Sequence, residues 1–80
     1  MMNRAQTFKD IRDFMPGDDY VHVAFTDGWW WIFTETASHG GEAFYEDAEK
    51  TARKVSEANG QRVCVWSKNT HRRYKVLHAN

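Results

Sequence analysis

TDGWWWIF, residues Thr26 to Phe33, sets three consecutive tryptophans directly after an Asp-Gly dipeptide. The dipeptide lies between two runs rich in β-branched and aromatic residues, DYVHVAFT before it and WWWIFTE after it. A two-residue type I′ turn needs positive φ at both central positions, which Asp-Gly supplies readily. We therefore predict a β-hairpin over residues 19–36 in which Thr26 faces Trp29.

Side chains alternate between the two faces of a strand, so this register divides the hairpin into two distinct surfaces. One is an ordinary apolar core face, made of Val21, Val23, Phe25, Trp30, Ile32 and Thr34. The other, which we call the aromatic face, carries Tyr20, His22, Ala24, Trp29, Trp31, Phe33 and Glu35. We expect Trp30 to be structural, and Trp29 and Trp31 to be largely functional.

Three further elements are predicted around this hairpin. TFKDIRDFM has apolar residues at helical spacing and a capping threonine, which predicts a short helix over residues 7–15. ASHGGEAF is typical of a turn-rich connector, and the alanine-rich stripe after it predicts a helix over residues 45–59 that ends before Gly60. QRVCVWSK and HRRYKVLH predict a second hairpin over residues 61–78.

Together these elements predict an α+β fold with a four-stranded antiparallel sheet and the main helix across one face. Strand orders 2-1-3-4 and 1-2-4-3 both satisfy antiparallel pairing. A second hairpin that turns at Asn69-Thr70 places Trp66, Arg73 and Lys75 on the aromatic face. The predicted partner-binding residues are therefore Tyr20, His22, Trp29, Trp31, Phe33, Trp66, Arg73 and Lys75.

The short N-terminal helix needs an apolar surface to dock on, because two helical turns are not stable alone. Its apolar side chains and the Pro16-Gly17 break before the first strand favour docking on the aromatic face. Two turns span about 12 Å, less than a sheet of four strands spaced about 4.8 Å apart. We expect partial cover, with some of Trp29, Trp31, Trp66 and Tyr20 left accessible.

Composition limits the classes of function. Eighty residues have room for one hydrophobic core, which predicts a single domain over residues 1–80. Eleven basic residues balance eleven acidic ones, whereas general nucleic-acid binders usually carry a basic excess. The N-terminus lacks the apolar segment of a signal peptide, and no apolar run approaches about 18 residues. With Cys64 as the single cysteine, a soluble cytoplasmic protein without contact to a membrane is expected.

Residue patterns predict neither catalysis nor a cofactor. The four histidines and Cys64 lack the spacing of a metal site, so we expect no bound metal. Ser38-His39-Gly40-Gly41 lacks the strand-turn-helix context of a nucleophilic serine. Cys64 lies between valines, as a packing residue usually does. We therefore expect a protein that is not an enzyme.

The motifs YVHV, GWWWIF, AFYEDAEKTARKVSEANG and RVCVWSKNTHRRYKV resemble those of a family of small bacterial β-β-α-β-β domains of unknown function. In that family a Gly-Trp hairpin precedes an alanine-rich helix that ends in glycine, followed by a second hairpin. The resemblance covers residues 20–76 and implies a fold without implying an activity. The chain also resembles the small accessory proteins of phages and mobile elements, anti-CRISPR proteins among them, which imply steric inhibition of a host protein or ribonucleoprotein complex.

Two uses of the aromatic face are open. Trp, Tyr and Arg are enriched at protein-binding hot spots, which favours a protein partner. Aromatic rings on a sheet can also stack the bases of single-stranded nucleic acid, with arginine and lysine on the phosphates. The zero net charge makes the protein partner the first choice. A monomer and a homodimer that buries two aromatic faces are both compatible with the sequence.

Overall fold

The computed structural model describes residues 9, 11, 20–34, 38–68 and 73–77. Within these residues the chain forms five strands and one long helix. The strands and the helix are β1 (Tyr20–Thr26), β2 (Trp29–Phe33), β3 (Ser38–Glu42), α1 (Tyr45–Asn59), β4 (Arg62–Trp66) and β5 (Tyr74–Leu77).

All five strands form one sheet in the order β3-β2-β1-β4-β5, and α1 packs across one of its faces. The predicted α+β class is confirmed. The predicted four-stranded antiparallel sheet is wrong, because the sheet has a fifth strand and its central pair, β1 with β4, runs parallel. The remaining pairs, β1–β2, β2–β3 and β4–β5, are antiparallel.

The first hairpin has the predicted register. Thr26 pairs with Trp29 and Phe25 with Trp30. Asp27 and Gly28 both have positive φ, 55° and 81°, as a type I′ turn requires. The turn therefore fixes which tryptophans face α1: Trp30 packs toward the helix side of the sheet, between Phe25 and Tyr45.

The unpredicted strand β3 explains the parallel central pair. SHGGE was expected to be a connector, but it runs back along β2 as a third antiparallel strand. Each antiparallel strand reverses the chain, so β3 runs in the direction of β1. Helix α1 then returns the chain to the start of β1, and β4 leaves in the same direction as β1. Without β3, the same helix would deliver β4 antiparallel to β1.

Helix α1 has the predicted bounds, Tyr45–Asn59. Ala48 and Ala52 are fully buried against the core face of the sheet, where Val21, Val23, Ile32, Val63 and Val65 close the space beneath them. Small side chains let the helix axis lie close to these branched residues. Gly60 ends the helix in the left-handed conformation, with φ 69°. Ala58, the last alanine of the alanine-rich stripe, is exposed.

The predicted register of the second hairpin is wrong by one residue. Trp66 pairs with Tyr74 and Val65 with Lys75, so the connection is one residue longer than a two-residue turn at Asn69-Thr70 allows. A slip of one residue sends every side chain to the opposite face. The predicted placement of Arg73 and Lys75 on the aromatic face is therefore wrong: both lie on the helix side of the sheet, and Tyr74 between them lies on the aromatic face.

Most of the predicted N-terminal helix, residues 7–15, lies outside the described residues. Lys9 and Ile11 are described, and both are helical. Ile11 is fully buried against the aromatic face, in contact with a cluster that includes Phe33 and Trp66. The expected partial cover of that face is therefore observed at Ile11.

The close approach of α1 to the sheet leads to a stability prediction. Ala52→Leu adds three carbon atoms where the helix meets the sheet, so we expect the free energy of unfolding to fall by about 1–3 kcal/mol. Ala58→Leu, the same change at an exposed position of the same helix, should leave it nearly unchanged. Urea denaturation followed by circular dichroism measures both. Equal stability of the two variants would mean that Ala52 does not face the core.

Candidate binding surface

The centre of the aromatic face is a second small core. Ile11, Ala24, Phe33, Cys64 and Trp66 are all fully or almost fully buried there. Tyr20 and Trp31 pack against this cluster and are half-buried. The sheet therefore buries apolar side chains on both faces, which accounts for the apolar character of β1 and β2 at nearly every position.

A buried hydrogen bond ties His22 of β1 to Trp66 of β4. The indole Nε1–H of Trp66 donates to Nδ1 of His22 over 2.9 Å. Because an indole can only donate, Nδ1 must be unprotonated and the imidazole proton must lie on Nε2. Burial lowers the pKa of His22 from 6.5 to about 4, so the ring is neutral at physiological pH.

Exposed aromatic rings lie on either side of this closed centre. Trp29 on β2 is 48% exposed and Tyr74 on β5 is 44% exposed. The centroids of the Tyr74 and Trp66 rings are 5.0 Å apart, so Tyr74 continues a row of rings that begins at Tyr20 and His22. Three strand spacings of about 4.8 Å separate β2 from β5, which places the two exposed rings roughly 14 Å apart across the strands.

Trp29 and Trp31 pack on a glycine of the neighbouring strand. The pairing of β2 with β3 shifts register between Trp30 and Trp31, and Gly40 at this bulge has φ 98°. A Cβ atom on Gly41 would lie 2.7 Å from Cβ of Trp29 and 3.2 Å from Cε2 of Trp31. The two indoles therefore occupy the space that a side chain at position 41 would need. A further hydrogen bond, from Nε1–H of Trp31 to the Thr26 carbonyl at 3.1 Å, holds the second indole in place.

The eight predicted binding residues fall into three groups by exposure. Three are buried, namely His22, Phe33 and Trp66. Two are half-buried, namely Tyr20 and Trp31, and three are exposed, namely Trp29, Arg73 and Lys75. A shallow depression of about 260 Å³ is lined by three of the predicted residues, Trp66, Arg73 and Lys75. Tyr74 lines the same depression.

Sequence reasoning missed two residues of this surface. Tyr74 was assigned to the wrong face because the length of the β4–β5 connection was taken as two residues. Gly41 was placed in a turn-rich connector, although aromatic side chains can pack over a glycine of a neighbouring edge strand. The Gly40-Gly41 dipeptide, which follows Phe33 after six residues, was the available signal.

Cys64 lies in the buried centre of the aromatic face. Burial raises the pKa of the Cys64 thiol to about 12, so the thiol is protonated at neutral pH. Among the residues that the structure describes, no group of three His, Cys, Asp or Glu side chains is placed to hold a metal ion. Within the same residues, no helix is long and apolar enough to cross a membrane.

No protein-family model matches the chain, and neither does any curated protein or solved structure. The resemblances noted from the sequence motifs therefore stay predictions.

The packing of Trp29 on Gly41 leads to a double-mutant prediction. Gly41→Ala should lower the free energy of unfolding by about 1–3 kcal/mol, because the new methyl group overlaps the Trp29 side chain. The same substitution in a Trp29→Gly background should cost much less, because the Cβ and Cγ atoms of Trp29 that the methyl group would overlap are both gone. Urea denaturation of all four proteins measures the coupling. Equal costs in the two backgrounds would show that Trp29 does not lie over Gly41.

The buried histidine leads to a pH prediction. A neutral His22 is favoured by folding, so the stability that it contributes is fully present above pH 6.5 and is lost as the pH falls toward 4. The shift corresponds to about 3 kcal/mol at most. His22→Asn keeps an acceptor for the Trp66 indole but does not titrate, so its stability should depend less on pH over this range. His39→Asn, at an exposed position on β3, should behave like the unmodified protein in the same denaturation series.

Proposed function

We propose that this chain is a non-enzymatic protein-binding domain that uses the margin of its aromatic face. The observation that carries the proposal is the pair of exposed rings, Trp29 and Tyr74, on either side of a closed apolar centre. Tryptophan and tyrosine are among the residues that most often dominate binding energy at interfaces.

Both rings are held by neighbours before any partner arrives. The Trp29 side chain lies over Gly41, and the Tyr74 ring packs on the buried Trp66. A side chain that is already ordered loses little conformational entropy on binding. The buried residues His22, Phe33 and Trp66 therefore support the proposed surface from beneath, while Trp29 and Tyr74 are the side chains that would touch a partner.

A host protein or ribonucleoprotein complex in the cytoplasm is the partner class that we propose, and occupation of its working surface is the proposed mode of action. This part of the proposal rests on the resemblance in size and composition to phage and mobile-element accessory proteins such as anti-CRISPR proteins. It requires no chemistry from the chain. An inhibitor that acts by steric occlusion needs only an ordered surface with anchor residues.

Binding of single-stranded nucleic acid is the alternative, and the placement of Arg73 beside Tyr74 favours it. A ring with a neighbouring guanidinium can stack a base and contact a phosphate. Stacking needs an accessible ring face, however, and the rings of Trp66 and Phe33 are buried. The surface thus keeps fewer stacking positions than the sequence predicted, and the protein partner is the better supported choice.

Affinity capture from a host lysate tests the proposal. We expect Trp29→Ala and Tyr74→Ala each to weaken capture of the partner by about 2 kcal/mol, roughly 30-fold, as hot-spot anchors do. Phe44→Ala is the matched control, because Phe44 is 67% exposed but precedes α1, away from the aromatic face. Circular dichroism checks that each variant is folded.

Nuclease treatment of the lysate separates the alternatives. A protein partner that survives nuclease and is lost in Trp29→Ala supports the proposal. Recovery of nucleic acid alone, or equal capture by all variants, contradicts it. A solution mass of twice 9.4 kDa that returns to the monomer value in Trp29→Ala would instead assign the aromatic face to a homodimer.

A further inference from the structure

Strand β3 forms one edge of the sheet and has little protection against pairing with another strand. Within the described part of the chain, no strand lies on its outer side. Ser38, His39, Gly40 and Gly41 are exposed, and Glu42 is half-buried. Sheet edges are commonly protected by lysine or proline, and SHGGE contains neither. Two adjacent glycines leave the backbone uncovered, so another backbone can approach it closely.

A β-bulge can also protect a sheet edge, but the bulge in β3 is confined to one end of the strand. The register with β2 shifts between Gly40 and Glu42, which makes Gly41 the extra residue. Ser38, His39 and Gly40 pair with β2 without interruption. This part of β3 therefore continues the sheet in a form that a further strand can extend.

The first hairpin fixes which backbone groups of β2 point toward β3. Thr26 and Trp29 flank the two-residue turn, so they form a hydrogen-bonded pair. Along antiparallel strands, hydrogen-bonded pairs alternate with pairs that are not hydrogen-bonded. Trp29 and Trp31 therefore direct their N–H and carbonyl groups toward β1, and Trp30 and Ile32 direct theirs toward β3.

The same alternation continues in β3. His39 lies opposite Ile32, so the backbone groups of His39 point toward β2. Its neighbours Ser38 and Gly40 direct their N–H and carbonyl groups away from β2, toward the outer side of the sheet. An incoming strand would find two donors and two acceptors there.

On the aromatic face, the outer side of β3 lies next to an exposed ring. Trp29 is 48% exposed, and its side chain lies over Gly41. Neither Gly40 nor Gly41 has a side chain that would separate this ring from a strand added outside β3. Such a strand would place every second side chain on the aromatic face, where an apolar group can pack beside Trp29.

On the helix side, the same end of the molecule is acidic. Glu42 lies on this side with Trp30, its partner on β2, and Glu46 and Asp47 lie in the first turn of α1. Within the described part of the chain, none of these three carboxylates forms an ion pair. Lys50 is the only lysine or arginine between positions 38 and 52. The other set of side chains of an added strand would therefore meet negative charge, which favours lysine and arginine.

We propose that β3 is a docking strand for an extended basic segment of the partner protein. The segment pairs with the outward backbone groups of Ser38 and Gly40, and its residues alternate between apolar ones toward Trp29 and basic ones toward Glu42. Main-chain hydrogen bonds supply affinity in this mode of recognition, and side chains supply specificity. The inference rests on the proposed protein-binding function and names the chemistry of the partner.

Two synthetic peptides test this on the full chain. One alternates valine and lysine, and its matched control alternates valine and glutamate. We expect the valine–lysine peptide to bind about tenfold more tightly or better, because only its charges complement the acidic side of the strand. In amide exchange of the free protein, the N–H groups of Ser38 and Gly40 should exchange fast and that of His39 slowly. The valine–lysine peptide should slow exchange at Ser38 and Gly40.

Substitutions in β3 separate the backbone contribution from the charge contribution. Ser38→Pro removes an outward N–H at the first residue of an edge strand, where proline is tolerated, and should abolish binding of the valine–lysine peptide. Glu42→Lys should weaken binding about tenfold or more, whereas Glu57→Lys, the same charge change at an exposed site near the other end of α1, should not. If Ser38→Pro does not fold, amide exchange and the two glutamate variants still decide.

Several outcomes would overturn the inference. These are slow exchange at Ser38 and Gly40 in the free protein, equal or tighter binding of the valine–glutamate peptide, binding of neither peptide, or binding that survives Ser38→Pro. A concentration-dependent dimer that Ser38→Pro removes would make a second copy of the chain the occupant of β3, contrary to the proposal. Loss of the lysate partner in Trp29→Ala with full retention in Ser38→Pro would refute docking on β3 and leave the proposed function standing.

Discussion

The space above Gly41 can hold two indole rings or a side chain, but not both. Because it holds the rings of Trp29 and Trp31, β3 can pair closely with β2 although its own residues have little preference for strands. The pairing of β3 with β2 adds one more reversal of the chain direction. Because of this reversal, α1 crosses the sheet in its observed direction and β4 runs parallel to β1. The direction of β5 follows from the same reversal, so one glycine affects the direction of both strands that come after α1.

Stability in a chain of 80 residues requires more apolar contact than one face of a sheet provides. The chain meets this requirement with two thin cores, one beneath α1 and one on the aromatic face around Trp66. The hydrogen bond between Trp66 and His22 satisfies an indole donor that would otherwise be costly to bury. Side chains that look like a binding surface in the sequence are therefore shared between stability and recognition.

Local signals in the sequence were sufficient for the first hairpin and the helix. Asp27-Gly28 determines its own turn, and the alanine stripe before Gly60 determines the bounds of α1, because both depend on residues a few positions apart. Strand β3 could not be predicted from its own residues, since its partner atoms belong to Trp29 and Trp31. The face of Tyr74 could not be predicted because it depends on a loop length that differs by one residue from the tightest turn. Burial of Phe33 and Trp66 depends on Ile11, far away in the chain.

The parallel pair at the centre of the sheet has a consequence for how the protein is made. Strands β1, β2 and β3 are neighbours both in sequence and in space, so they can assemble while the chain is still being synthesised. The hydrogen-bond partner of His22, by contrast, is Trp66, which is synthesised 44 residues later. Until Trp66 has been synthesised, the partly formed sheet exposes the edge of β1 and an unfilled aromatic face. In that state the chain can bind a chaperone or misfold. Because β1 and β4 are the paired strands that lie farthest apart in the sequence, we expect their pairing to be a late step of folding.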